Sequence, residues 1–440
     1  MATLSRGDKK LLNAWAAYDW ANSVYSLTIV STIFPIFYAL LFDKAGTKEV
    51  ELFGMLFKHT SVITFITALA FLVIVVLSPI LSGIADYLGN KKAFMRFFCY
   101  LGSAACVGLY WFSLEHIYFS LLCYFCGVVG FWGSIVFYNS YLPDIALPEQ
   151  YDRVSARGFS MGYAGSVLLL LLNLALVMKP ELIGLDESTE SALLTMRISF
   201  LTVGIWWFGF SQIPFYYLPN NRHKDRQASL RLLSKGYKEL HKVWLSLKAS
   251  PRLKGFLFAF FVYSMGVQTV LLVATYFGTE EIAWENEQQR TTGLIISVLV
   301  IQLVAILGAS ATVWVVRRMG NIATLIALNA VWIAICIVAY HIQSPTAFYV
   351  LAGFVGLVMG GIQTLSRSTY SAYLPATEDT TSFFSFYDVT EKLGIVIGMG
   401  IYGLIDQFTS NMRNATVSLV VFFSLGIVLL WRLMRRNKSV

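Results

Sequence analysis

Arg367, Asp388, Glu391 and Lys392 stand within two long apolar stretches, 345–374 and 382–406, that otherwise read as membrane-spanning helices. Charged side chains near a bilayer centre cost roughly 3 kcal/mol or more, and persist where they face a bundle interior or a wet path and find partners. A fifth charge, Asp19, lies inside the first apolar stretch. Three acids against two bases leave one carboxylate without a cation. An uncompensated buried carboxylate is a natural place to take up and release a proton. Bond-making chemistry has no comparable constellation. His59, His116, His223, His241 and His341 are scattered singly, and no paired-carboxylate motif or phosphate-cradling loop is present. The chain is therefore not expected to be an enzyme or to hold a metal or cofactor.

These charges must be positioned by helices in lipid. The chain is 57% hydrophobic, 15% aromatic and only 13% charged, with a mean hydropathy of +0.65, too apolar for a soluble globule of 440 residues. Crossing about 30 Å of hydrocarbon takes roughly 20 apolar residues as a helix, and such runs recur throughout. Ten-residue alternating segments of a β-barrel are absent, so the expected class is an all-α polytopic membrane protein. Twelve spans are placed at about 11–42, 58–85, 93–112, 117–142, 157–178, 197–218, 253–277, 291–316, 321–341, 345–374, 382–406 and 415–434. The net charge of +8 reflects orientation rather than nucleic-acid binding. Of 33 Lys and Arg, 24 fall on one side of these spans, 7 on the other and 2 within them. By the positive-inside rule both termini are cytoplasmic.

Between spans 6 and 7, residues 219–252 hold Arg222, Lys224, Arg226, Arg231, Lys235, Lys238, Lys242, Lys248 and Arg252 with few acids, and 227–247 has helical character. This is a basic cytoplasmic linker near anionic headgroups, or a lipid-binding regulatory segment. It separates an N-terminal six-helix bundle, 1–218, from a C-terminal one, 253–440. Cys123 and Cys126 lie within an apolar helix and read as small packing residues, and the first span, which carries Asp19, reads as a retained helix rather than a cleaved signal. Glu280, Glu281, Glu285 and Glu287 fall in the loop after span 7, expected to be solvated.

The chain repeats itself. Tyr138-Asn139-Ser140-Tyr141-Leu142-Pro143 is echoed 232 residues later by Tyr370-Ser371-Ala372-Tyr373-Leu374-Pro375, and Gly89-Asn90 by Gly320-Asn321 at an offset of 231. Two six-helix bundles related by a pseudo-two-fold along the membrane normal are expected, with solute between them at mid-depth. Ser82-Gly83-Ile84-Ala85-Asp86-Tyr87-Leu88-Gly89-Asn90-Lys91-Lys92, after span 2, resembles the signature loop of the major facilitator superfamily. It departs from that pattern at Ser82, where a glycine is usual, and at Tyr87, where a basic residue is usual. Within the superfamily, Tyr18-Asp19-Trp20-Ala21-Asn22-Ser23 and Gly360-Gly361-Ile362-Gln363-Thr364-Leu365-Ser366-Arg367-Ser368 resemble the bacterial "unknown major facilitator" family, relatives of the fungal vacuolar amino-acid effluxers.

That resemblance implies the major facilitator fold, with spans 1, 4, 7 and 10 lining a central path. It also implies export of amino acids or similar small polar solutes. Polar stripes occur independently on those spans. Asp19, Asn22, Ser23 and Ser26 share a face at i, i+3, i+4 and i+7, as do Gln363, Arg367 and Tyr370. Ser264 and Gln268 stand on span 7, and Ser134, Tyr138 and Asn139 on span 4. Tyr18, Asn22, Ser23, Tyr138, Gln268, Gln363 and Arg367 are the substrate-binding candidates; interhelical hydrogen bonding is an equal alternative for the isolated polar ones. Asp19, Asp388, Glu391 and Lys392 are the proton-coupling candidates.

Asp388 and Lys392, four apart, can pair, while Arg367 is placed to reach Glu391. Asp19 is then the proton site. Alternatively Asp19 latches to Arg367 and Glu391 carries the proton, or the charges form a fixed network that only locks spans 10 and 11. Asp86, Gly89, Lys91, Lys92 and Arg96 are the gating candidates, or an ordinary positive-inside loop. Gly158 and Gly162, Gly356 and Gly360, and Gly394 and Gly398 follow the small-x-x-x-small spacing of closely packed helices. The expected partners are a small-molecule substrate, membrane lipid and protons as coupling ion, with no nucleic acid, for a monomer in the cell inner membrane. Competing readings are a transporter of sugars or peptides, a channel, or a non-transporting receptor on the same fold.

Overall fold

The computed structural model describes residues 4–220, 232–409 and 411–438. Asp8 starts the first helix by accepting hydrogen bonds from the Lys10 and Leu11 amides at 2.7 and 3.4 Å. Helix α1 (Lys9–Val24) runs into a nine-residue π-helix, Tyr25–Ile33, and then α2 (Phe34–Ala45). Five residues of the π stretch, Thr28, Ile29, Val30, Thr32 and Ile33, are β-branched and crowd an α-helical turn. Gly46, at φ 65°, ends α2. A hairpin follows, β1 (Glu49–Leu52) and β2 (Met55–Lys58), where only a loop was expected.

The remaining helices are α3 (His59–Leu88), α4 (Lys91–Gly108), α5 (Ile117–Asn139), α6 (Leu142–Ile145), α7 (Tyr151–Met178), α8 (Thr189–Tyr217), α9 (Leu232–Ala249) and α10 (Pro251–Glu281). After them come α11 (Glu287–Met319), α12 (Asn321–His341), α13 (Pro345–Tyr373), α14 (Thr380–Thr409), α15 (Met412–Ser418) and α16 (Val420–Lys438). Eleven helical segments are long and apolar enough to cross a membrane. The twelfth span is α14, 30 residues long, which carries Asp388, Glu391 and Lys392. The described residues are almost wholly helical, as an all-α polytopic protein requires, with the small hairpin added. The last span is broken near Leu419 into α15 and α16. Within the basic linker, α9 confirms helical character; Arg222, Lys224, Arg226 and Arg231 lie outside the described residues.

Two units divide the chain: Met1–Tyr141 with Ala164–Tyr237, and Leu142–Tyr163 with Lys238–Val440. Helix α7 was assigned whole to the first bundle, yet its opening turns, through Tyr163, pack within the second unit. Inside the first unit the third span, α4, packs on the fourth and sixth, α5 and α8, while α1 packs on α8 and α3 on α5. The second unit repeats these pairs at the corresponding spans: α12 on α13 and α16, α10 on α16, α11 on α13. Lipid-facing and inner surfaces differ as a bilayer solvent demands. Along α3 only 17% of the apolar window is buried, against 72% along α10.

Glycine sets the closest approaches. A methyl on Gly360 of α13 would strike the backbone of Ala305 in α11, and one on Gly356 the backbone of Ile301. In the first unit, Gly83 of α3 lies against the backbone of Gly236 in α9. In the second, Lys242 of α9 binds Asp379 at 2.8 Å, which lifts its pKa above the usual lysine range.

Candidate functional site

In the first unit the Tyr138 hydroxyl of α5 donates to Asp19 Oδ2 at 2.7 Å. Tyr138 is fixed from both sides: Trp15 Nε1 donates to its carbonyl at 2.9 Å, and the two rings stack with centroids 4.5 Å apart. Tyr18 packs against the same ring at 5.1 Å. Asp19 and Asn22 are buried, and Ser23 donates to Asn22 Oδ1 at 3.3 Å. The stripe expected to continue to Ser26 changes register at Tyr25, where the π-helix begins.

What continues is a run of buried polar atoms. Asn22 Nδ2, Tyr25 Oη, Thr28 Oγ1 and Thr32 Oγ1 have no hydrogen-bond partner among the described residues, while the Tyr18 hydroxyl lies near Ser134, Trp207 and Cys99. Buried polar groups are rarely left so, because each forfeits its hydration. Ser134, by contrast, is satisfied within its own helix by the Phe131 carbonyl at 2.8 Å.

The signature loop grips helix ends. Gly89, at φ 64°, caps α3 through its amide to Asp86 O, with Asn90 N bonding Ala85 O at 3.0 Å. Lys91 Nζ reaches the Ser140 carbonyl at 3.0 Å and stands 4.4 Å over the Tyr141 ring. Lys92 Nζ donates to the Leu218 carbonyl at 2.7 Å, and Arg96 lies 5.2 Å over Phe215. These cations sit at the C-terminal ends of α5 and α8, where unsatisfied carbonyls carry partial negative charge. Asp86 is buried at the end of α3.

The second unit holds the other charges. Arg367 Nε donates to Ser155 Oγ at 3.0 Å, its Nη2 to the Ser155 carbonyl at 2.8 Å, and its guanidinium lies 3.9 Å over the Phe159 ring. Tyr163 donates to Gln363 Oε1 at 2.5 Å, and Asp152 Oδ1 accepts from Ser368 at 2.5 Å and Asn321 at 2.8 Å. Asp152, Ser155, Phe159 and Tyr163 are spaced by three and four residues, so one face of α7 meets one face of α13. None of these four was singled out from sequence. Their signal was helical spacing of mixed residue types just after Pro148, hidden in what reads as a charged loop.

On α14, Lys392 pairs with Asp388 and approaches Glu391 Oε2 at 3.4 Å. Glu391 Oε1 accepts from Gln268 Nε2 of α10 at 2.7 Å. The expected bond from Arg367 to Glu391 is not found among the described residues: Glu391 takes Gln268, and Arg367 reaches Ser155 and Phe159 of α7. Asp388 and Lys392 are 3% and 1% exposed, and Asp388 Oδ2 has no partner among the described residues. Tyr370 shares the α13 face of Gln363 and Arg367, and its hydroxyl donates to the Phe383 carbonyl at 2.6 Å, tying α13 to the first turn of α14. Ser264 is satisfied within α10. Glu281 is no loop residue, since its carboxylate takes Arg413 Nε at 2.6 Å while Arg413 also bonds the Tyr340 and Ile342 carbonyls. Among the described residues no three His, Cys, Asp or Glu side chains gather to hold a metal.

The family described as "Vacuole effluxer Atg22 like" matches residues 7–151 and 147–440. The chain is 30% identical over 418 residues to an uncharacterized MFS-type transporter, YxiO, of Bacillus subtilis, covering 95% of this chain and 93% of that one. It is 25% identical over 317 residues to autophagy-related protein 22 of Yarrowia lipolytica, covering 65% of this chain and 51% of that one, about half the fungal protein's length. In fold it is similar to the fucose transporter FucP in its outward conformation, with a TM-score of 0.65, 13% identity and 97% and 99% coverage. It is likewise similar to the human organic anion transporter MFSD10, with a TM-score of 0.69, 12% identity and 96% and 99% coverage. The chain belongs to the Atg22-like vacuole effluxer family and is a multi-pass transporter of the major facilitator superfamily.

Proposed function

We propose that this protein is a secondary active transporter that exports a small polar solute, an amino acid or similar metabolite, by alternating access coupled to protons. It works as a monomer in the cell inner membrane with both termini cytoplasmic, its bundles being 1–218 and 253–440. The observation that carries this reading is the run Asn22, Tyr25, Thr28 and Thr32, four buried side chains with polar atoms that no described residue satisfies. Such a run is costly in a packed helix bundle and suits a path that water and a polar solute occupy. The family description supports efflux, and the likeness to amino-acid effluxers supports the solute class.

Asp19 is the proposed proton site. It is a buried carboxyl on the first span, and the Tyr138 hydroxyl that donates to it supports its ionised form. On α14, Lys392 serves two carboxylates at once. Asn22, Ser23, Gln268, Gln363 and Arg367 are the proposed solute contacts, and the Asp86 to Arg96 loop the gate.

The test is transport in proteoliposomes. Asp19→Asn should abolish solute movement driven by a pH gradient and spare solute counterflow within about twofold. Normal gradient-driven movement in Asp19→Asn moves the proton site to α14, where Glu391→Gln is the matching variant. Absence of counterflow in the wild-type chain across amino acids, peptides and sugars would sink the transport reading for these solutes.

A further inference from the structure

The hairpin β1–β2 carries its apolar surface at its tip rather than on one face. Cross-strand pairs join Glu49 to Lys58, Val50 to Phe57, Glu51 to Leu56 and Leu52 to Met55. Val50 and Leu52 are buried, and the oppositely charged Glu49 and Lys58 stand at the root. At the tip Phe53, Met55 and Leu56 are 83%, 57% and 67% exposed. Three large apolar side chains side by side gain nothing from water.

The backbone is strained to present them. Phe53 has φ 54°, the one non-glycine among the described residues with positive φ, and Gly54 follows at 76°. This is the pattern of a two-residue hairpin turn whose first position suits Asn, Asp or Gly, not an aromatic residue. Tyr118 of α5 holds the arrangement: its hydroxyl accepts the Phe53 amide at 2.9 Å and its ring meets the Phe53 ring at 5.5 Å. Strain of this kind persists where surroundings fix it, and it collects at working sites.

Tyr118 also gives the tip its setting. It opens α5 at the head of exposed Phe119 and Leu122, and Trp111, 59% exposed, precedes it. On α3, Phe65, Leu69, Leu72 and Val76 form one exposed stripe that begins about 10 Å beyond Lys58. The tip therefore continues a lipid-facing surface at the level where aromatic residues gather, the headgroup boundary. The root is tied to the helices there, with the Tyr38 hydroxyl donating to His59 O at 2.9 Å and the His59 ring stacked on Phe42 at 4.6 Å.

We propose that this hairpin is a membrane-interface anchor. Phe53, Met55 and Leu56 insert at the boundary between headgroups and acyl chains of the nearer leaflet, while Glu49 and Lys58 stay in water. The junction of α2 and α3 is thereby held at fixed depth. This does not depend on which solute is carried.

The test uses the full chain in phosphatidylcholine liposomes with Cys126→Ser as background. Phe53→Cys, Met55→Cys, Leu56→Cys, Glu49→Cys and Lys58→Cys are labelled singly with a small fluorophore. Lipids brominated near the top of the acyl chain should quench the three tip probes at least twofold more than the Glu49 and Lys58 probes, and aqueous iodide should do the reverse. Phe53→Asn suits the turn and keeps the hairpin folded, so with it the probe at 55 should lose part of its lipid quenching. Iodide quenching at the tip equal to that at Glu49 overturns the proposal. Tip probes shielded from both quenchers also overturn it, because a protein, such as a second copy, then covers the hairpin.

Discussion

Lys392 is the residue on which the buried charge of α14 turns. It lies against Asp388 and near Glu391, and removing it leaves two carboxylates with no cation on their helix. Breaking a buried pair from one side costs roughly 3 to 5 kcal/mol, whereas replacing both partners by uncharged groups is close to neutral. Lys392→Met should therefore lower thermal stability in detergent markedly, and Asp388→Asn with Lys392→Met should restore most of it. Equal instability in both variants would mean that the pair is not what holds α14. Arg367 makes a different argument, since it uses a planar fork on Ser155 and a flat face on Phe159. An ammonium can reproduce neither geometry. Arg367→Lys should cut counterflow about tenfold with little loss of folded protein by size-exclusion chromatography; wild-type rates would reduce Arg367 to a bystander. The pairing of Asp388 with Lys392 was legible because four residues on one helix fix it. The partner of Glu391 was not, because helical spacing says nothing about which neighbouring helix supplies Gln268.

Elements were legible in proportion to how far periodicity alone determines them. The long spans emerge from apolar length, and Gly356 and Gly360 announce a close approach whose partner, α11, only packing reveals. A side chain at Gly360 must push against the Ala305 backbone, which cannot rotate away as a side chain could. Overpacking of this kind costs roughly 1 to 3 kcal/mol. Gly360→Val should destabilise the protein by that amount in thermal melts, while Gly403→Val, a position with open space around it, should not. Similar melts for the two variants would show that the α11 and α13 contact is loose. The π-helix and the hairpin escaped reading for separate reasons. A π turn keeps apolar composition and changes only register, and its trace in the sequence is the β-branched run after Tyr25. The hairpin's turn is Phe-Gly, and its strands are too short for alternation to stand out between two spans.

At the scale of the whole molecule, duplication was the strongest signal in the sequence, and the matched helix pairs of the two units repeat it in packing. What the repeats could not foretell is the placement of α7. Its first turns belong by sequence to the first six spans, yet Asp152, Ser155, Phe159 and Tyr163 bond and stack within the second unit. If the proposed alternating access moves the first six spans as a body, these bonds are made and broken once per cycle. Bonds of about 1 kcal/mol each, or a little more where charged, are suited to that exchange. Asp152→Cys with Ser368→Cys, joined by a short thiol cross-linker, should then abolish counterflow, and a reducible linker should return it when cleaved. Each single-cysteine variant treated alike serves as the control. Full counterflow in the cross-linked protein would mean that these turns of α7 stay with the second unit throughout, and that the rocking body is not the one drawn by the repeats.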